Sequence, residues 1–171
     1  MSMKKFRFED PKHFVIGTIG LPGEREFFLQ VGNGESVFSF ALEKSQAEGL
    51  ARKSIQILQD LNLKKQVDNH RFQLITPLES EFQIGVITIT WRPESERFHI
   101  EVEGIDDAGE NGFARESQGL EIIVSPDLLT TFSSHTLEVV AAGRQPCLFC
   151  GGPINSDGHL CPRSNGYRRM G

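Results

Sequence analysis

Residues 25–31 read REFFLQV and residues 96–102 read ERFHIEV. In both stretches large apolar side chains alternate with other residues: Phe27, Leu29 and Val31 in the first, Phe98, Ile100 and Val102 in the second. A period of two places those residues on one face of a strand and leaves the opposite face available to solvent. Each stretch is therefore expected to be a strand of a sheet with one buried face. The resemblance between them makes an internal repeat the first question to settle about the chain.

The match extends outward in both directions. Upstream, FRFEDP (6–11) shares its spacing with FQLITP (72–77), and FVIG (14–17) aligns with FQIG (82–85). Downstream, each half offers a short apolar strand, VFSFAL at 37–42 and LEIIV at 120–124. Both halves then close with a helical pattern. Ala47, Leu50, Ala51, Ile55, Leu58 and Leu61 recur at helical spacing, as do Leu128, Leu129, Phe132, Val139 and Val140. Ser125 ahead of Pro126 is a suitable N-cap with proline at the first helical position.

The expected fold is α+β: two tandem repeats of four strands and a helix, about 6–61 and 72–142, packed about a pseudo-twofold axis. Each copy has an apolar sheet face for its helix and is too small to be comfortable alone. Residues 1–143 are thus read as one duplicated domain and residues 144–171 as a separate small tail. The expected core includes Phe14, Phe27, Leu29, Leu50, Ile55, Phe82, Phe98, Ile100, Phe132 and Val139. The stretch GIDDAGENGFARESQG (104–119), rich in glycine and acid, is expected to be a surface loop.

The tail carries the strongest chemical signal. All three cysteines of the chain lie in PCLFCGGPINSDGHLCPRSNGYRR (146–169), an odd cluster that suits metal ligation better than a disulfide framework. Cys147 and Cys150 form a C-x-x-C knuckle, and Gly151 and Gly152 permit the tight turn that follows. Turn-forming residues 155–158 bring the chain back to His159 and Cys161. Together these four complete a Cys3His set for zinc; Asp157 or Asn165 could substitute as the fourth ligand, or water could complete the shell. A closed shell of that kind is structural, because no coordination position is left for water. A thioredoxin-like redox role fits less well, since the motif follows a helix and a proline instead of linking a strand to a helix.

Charge is divided unevenly. Residues 144–171 hold four arginines against one aspartate, a net +3, which leaves −8 on residues 1–143 out of −5 overall. An acidic body resists nonspecific attraction to nucleic acid, while a basic tail can dock on an acidic surface. Arg163, Asn165, Tyr167, Arg168 and Arg169 are the candidate partner-binding residues. The N-terminal MSMKKFRFEDPKHF lacks the apolar run and cleavage site of a secretory signal, and no apolar stretch approaches membrane-spanning length, so a cytoplasmic protein with no membrane partner is expected.

At FVIGTIGLPGEREFFLQ, ALEKSQAEGLA and VVAAGRQPCLFCGGPINSDGHLCPRSNGYRR the chain resembles the bacterial family called domain of unknown function 3090, a repeat-protein family. The resemblance covers nearly the whole chain and is most specific in the last stretch. It implies the internal repeat and a cytoplasmic location. It also implies neighbouring genes of kinase-like and phosphatase-like type, the sole motive for an enzyme reading in which a phosphorylated or nucleotide ligand binds between the repeats.

Other motifs carry less. Gly17, Gly20 and Gly23 look like a phosphate loop, but a strand follows them where a helix N-terminus is needed, so a hairpin turn is expected. Glu24, Arg25 and Glu26 read as solvated charge beside that turn. His13, His70, His99 and His135 have no metal-ligand spacing. Trp91 ends the alternating VITITW strand and is expected to pack against the core in preference to stacking a base. The leading function is accordingly a non-enzymatic zinc-binding module that acts as an interaction or adaptor protein. Single-stranded nucleic-acid binding, by analogy with the paired strand-and-helix repeats of Pur-alpha and Whirly proteins, ranks second, because Glu101, Glu103 and Glu121 stand where a binder needs cations and aromatics.

Overall fold

A computed structural model of the chain describes residues 4–21, 23–63, 73–105 and 117–142. The first half contains β1 (Lys4–Glu9), β2 (His13–Ile19), β3 (Glu26–Gly32), β4 (Val37–Leu42) and α1 (Lys44–Asp60). The second contains β5 (Ser80–Arg92), β6 (Arg97–Gly104), β7 (Gln118–Val124) and α2 (Pro126–Ala142). The α+β class is as expected. The strands, however, form one mixed seven-stranded sheet in the order β1-β7-β6-β5-β4-β3-β2, where a four-stranded sheet in each half was expected.

Two antiparallel meanders, β2-β3-β4 and β5-β6-β7, make up most of the sheet. They are joined by a parallel pairing of β4 with the start of β5, Ser39 opposite Ser80 and Ala41 opposite Gln83. At the far side β1 adds in parallel to β7, Phe6 opposite Leu120 and Phe8 opposite Ile122. Each half thus lays its first extended segment against the last strand of the other half. Phe6 on β1 lies 5.0 Å from Phe38 on β4, ring centre to ring centre. Those strands are four places apart in the sheet order, which in a flat sheet would be ~19 Å. The sheet therefore rolls up, and Phe6, Phe38, Phe40 and Phe82 meet edge-on or tilted inside it.

The expected second-half strand at 72–77 does not exist among the described residues: 73–79 are irregular, with a cis peptide before Pro77. Its place is taken by β5, a thirteen-residue strand with a bulge between Ile84 and Val86. A bulge bends a strand and re-aims it, which lets the first part of β5 pair with β4 and the rest with β6. In the first half the same change of partner is made by a break, Asp10 at φ 46 followed by Pro11, between β1 and β2. The register corrects the expected alignment as well. Phe14 stands opposite Val31, and the residue standing opposite Val102 is Ile87 and not Phe82.

Helices α1 and α2 pack against each other, with α2 leaning on β2. Both are 17 residues long, and burial recurs at matching positions: Ala47 and Leu129, Leu50 and Phe132, Ala51 and Ser133, Ser54 and Thr136, Leu58 and Val140. Ser54 and Thr136 satisfy their buried hydroxyls identically, each donating to the carbonyl four residues back at 2.7 Å. Ser125 Oγ accepts the Leu128 N–H at 3.2 Å, as an N-cap should. The expected core is buried except at Ile55 and Val139, which are only half-buried. The true inward positions one residue away are Ser54 and Val140, because a helix face drifts by 100° per residue and apolar periodicity does not register a buried serine.

Gly17 lies within β2, opposite Phe28, and the turn to β3 follows Ile19, with Gly20 and Gly23 at positive φ. Arg25 beside it is not merely solvated charge. Its Nη1 donates to the Val139 carbonyl at 3.1 Å, and its guanidinium lies over the Phe27 ring, tying the turn to α2. On the other face of the sheet Gln30, 1% exposed, takes the role of a strand neighbour for residue 75. Its Nε2 donates to the Ile75 carbonyl at 2.9 Å, and its Oε1 accepts the Ile75 N–H at 2.8 Å. Those backbone partners fix which end of the amide is which, so His13 Nε2, 3.0 Å from Oε1, must be the donor. Gln30 Nε2 also donates to Ser39 Oγ at 3.1 Å. Gly17 permits this docking: a Cβ there would meet Leu74 Cγ at 2.6 Å.

Gln30→Leu should remove the hydrogen bonds to the part-buried Ile75 backbone and to the buried Ser39 hydroxyl and cost ~2 kcal/mol, the usual scale for losing several such bonds. Urea unfolding measures the loss. A stability within error of wild type would show that the 73–79 segment is not anchored by Gln30.

Candidate functional site

The sequence-predicted metal ligands Cys147, Cys150, His159 and Cys161 lie outside the described residues, as do Arg163, Asn165, Tyr167, Arg168 and Arg169. So do the loop residues 106–116 and His70. Among the described residues no group of three or more His, Cys, Asp or Glu side chains is placed to hold a metal ion. No helix of the described residues is long and apolar enough to cross a membrane.

Two features of the described surface have chemical content. The first is a charged cluster on the outward face of β1, β6 and β7. Cross-strand neighbours on one face of a sheet are close enough to interact, and here Lys5, Arg7 and His99 converge on Glu121. Lys5 Nζ and Arg7 Nε stand 3.5 and 3.6 Å from its Oε2, and His99 Nδ1 stands 3.5 Å from its Oε1. Glu101 and Glu103 continue the same face of β6. The cations of β1 are thus turned toward an internal carboxylate. Trp91 lies against Phe98 at 4.6 Å between ring centres and is half-buried, packing on the core as expected.

The second is a cleft of about 240 Å³ between α1 and β5, lined by Gln46, Gly49, Leu50, Lys53, Gly85, Ile87 and Ile89. Gln46 sets one end of it. Its Nε2 donates to the carbonyls of Ile84 and Gly85 at 3.1 and 2.7 Å, and its Oε1 accepts the Glu43 N–H at 2.7 Å. This links the first turn of α1 to the bulge of β5. Ile87, Ile89 and Leu50 form the apolar walls, while Lys53 is exposed at the rim. No sequence motif announces the cleft. The one trace is Gly49 in the interior of a helix, where glycine costs stability relative to alanine.

A family model described as "Protein of unknown function (DUF3090)" matches residues 6–161. The chain belongs to that family. The match takes in both meanders, both helices and the cysteine cluster as far as Cys161. No curated protein and no solved structure matches the chain.

Glu121→Ala should cost about 1 kcal/mol or less, since Lys5 and Arg7 are half exposed and pairs of that kind contribute little. The cost should shrink as salt is raised. Unfolding measured at low and high ionic strength checks both points, and a large loss unaffected by salt would mean that Glu121 acts by packing alone.

Proposed function

We propose that this protein is a non-enzymatic zinc-binding module that serves as an interaction or adaptor protein in the cytoplasm. In this reading residues 1–143 are a duplicated α+β domain whose two copies pack about a pseudo-twofold. Residues 144–171 form a zinc-ribbon-like clasp that displays Arg163, Asn165, Tyr167, Arg168 and Arg169 to an acidic protein partner. The observation that carries it is the confinement of every cysteine in the chain to 147–161, in a C-x-x-C knuckle that returns to H-x-C.

The donor set fits zinc. Three thiolates and one imidazole are soft and borderline ligands that favour it over harder cations, and four of them close a tetrahedron. When bound, the ion supplies folding energy to a stretch with few apolar residues of its own. Cys147, Cys150, His159 and Cys161 would hold it, and Gly151 and Gly152 give the knuckle its turn.

Duplication is supported by the matching strand registers, the equal helix lengths, the paired burial along α1 and α2, and the paired hydroxyl bonds of Ser54 and Thr136. The acidic face of Glu101, Glu103 and Glu121 weighs against a nucleic-acid strand lying across the sheet. The cleft between α1 and β5 does join the two halves, where an enzyme site was sought. Among the described residues its lining holds one ionisable side chain, Lys53.

Metal analysis of the purified full chain should give one zinc per molecule. Cys147→Ser or Cys161→Ser should lose it while the unfolding transition of the strand-and-helix domain is retained, because that core contains no thiolate. X-ray absorption should report sulfur at about 2.3 Å and nitrogen at about 2.0 Å from the metal. Full-length protein that is metal-free yet folded through its tail would overturn the proposal.

A further inference from the structure

The two halves share the register of their antiparallel meanders, so a position on one side has a counterpart on the other. Phe14 and Ile87 occupy the same station, opposite Val31 and Val102. Leu50 and Phe132 are each the seventh residue of their helix. Where α2 crosses β2, the rings of Phe14 and Phe132 lie parallel, 3.9 Å apart and tilted by only 7°. Where α1 crosses β5, the corresponding residues are Ile87 and Leu50, and the cleft of about 240 Å³ opens beside them. Two ring positions are filled by the chain on one side and left as aliphatic walls on the other.

A second observation agrees. The sixth residue of α2 is the buried Thr131; that of α1 is the exposed Gly49. A Cβ added at Gly49 would meet nothing within 4 Å. The glycine is therefore not required by any contact inside the described chain, although it weakens the helix. It keeps the cleft open. One turn further along the same face stands Lys53 at the rim, the only charged side chain of the lining among the described residues.

We propose that the cleft between α1 and β5 is a binding site for a small molecule consisting of one aromatic ring with a carboxylate substituent. The ring lies between Leu50, Ile87 and Ile89, in the manner in which Phe14 and Phe132 lie on each other, and the carboxylate meets the Lys53 ammonium. Size agrees with this choice. An apolar cavity of about 150 Å³ admits benzene, and sites for larger, drug-sized ligands start near ~300 Å³. A volume between those limits suits a single substituted ring. Lys53 selects an anion, and a carboxylate forms the charge-assisted hydrogen bond that a neutral ring lacks.

Titration of the full-length, isotope-labelled protein with phenylacetate tests this. Saturable shifts should appear at the amides of residues 46–53 and 85–89, with a Kd on the order of 1 mM, as befits a ligand of about ten heavy atoms. Phenethylamine, with the same ring and the opposite charge, and acetate, without the ring, should not saturate there. Lys53→Gln should weaken phenylacetate binding by about fivefold to tenfold. Gly49→Leu should abolish it by filling the mouth, on an exposed helix face where folding is not at risk. Ile87→Phe, which places a ring from within, should abolish it too and raise the melting temperature. An absence of saturable shifts, equal binding of phenethylamine, or binding unchanged by Gly49→Leu would each overturn the site.

Discussion

The exchange of first segments between the halves is the constraint on which the rest of the structure depends. β1 pairs with β7 and the start of β5 pairs with β4, both in parallel. A lone parallel strand has no hairpin to hold it and relies on burial. Burial is supplied by the roll of the sheet, which brings Phe6 and Phe8 of β1 onto Phe38 and Phe40 of β4. Neither half can complete its sheet without the other. The buried side chains accordingly form one cluster that runs from Phe8 through Leu50 and Phe98 to Val140. Separated halves would expose the phenylalanines and leave the outer backbone groups of β4 and β7 unpaired, which is both costly and prone to aggregation.

That interlock explains why the two halves differ where they do. The first half breaks its leading segment at Asp10 and Pro11, and the second bends through the bulge at Gly85. A bulge keeps the strand continuous, so β5 runs unbroken from its pairing with β4 to its pairing with β6, and residues 73–79 before it form no strand. Residues 73–79 are thereby released from the sheet and fold back over its outer face. There Gln30 supplies the two hydrogen bonds that a neighbouring strand would have supplied to Ile75. The residue at the matching station in the second half is Glu101, which is exposed and has no such segment over it among the described residues.

Much of this was legible in the sequence, and the exceptions have identifiable causes. Alternation in REFFLQV and ERFHIEV located β3 and β6, and the Ser125–Pro126 signal located the start of α2, because both depend on local chemistry. FQLITP imitated FRFEDP in its apolar spacing, but pairing depends on a neighbour, and the neighbour of β4 is the segment beginning at Ser80. The shift from Phe82 to Ile87 as the match for Phe14 has the same origin, since a bulge is invisible to periodicity. The spacing of Cys147, Cys150, His159 and Cys161 is visible in the sequence, and those residues lie outside the described ones. The α1–β5 cleft was not legible there, because a cleft is defined by what fails to fill it.

The distribution of aromatic residues shows how unequal filling gives the two sides of the core different properties. Phe14 and Phe132 at one crossing are a rigid, offset-capable pair whose rotamers are locked by mutual contact. At the other crossing Leu50 and Ile87 are smaller, Ile87 and Ile89 remain half-buried, and the helix–strand contact is looser. A closely packed core does not ordinarily leave such volume, because unfilled space forfeits dispersion contacts along its walls. Here the space persists because α1 is held from its end. Gln46 ties the first turn to the carbonyls of Ile84 and Gly85, and α2 braces the opposite flank. The helix cannot settle onto β5 without breaking those two bonds to backbone oxygens. The same anchoring that closes the molecule around its phenylalanines therefore holds the α1 crossing open.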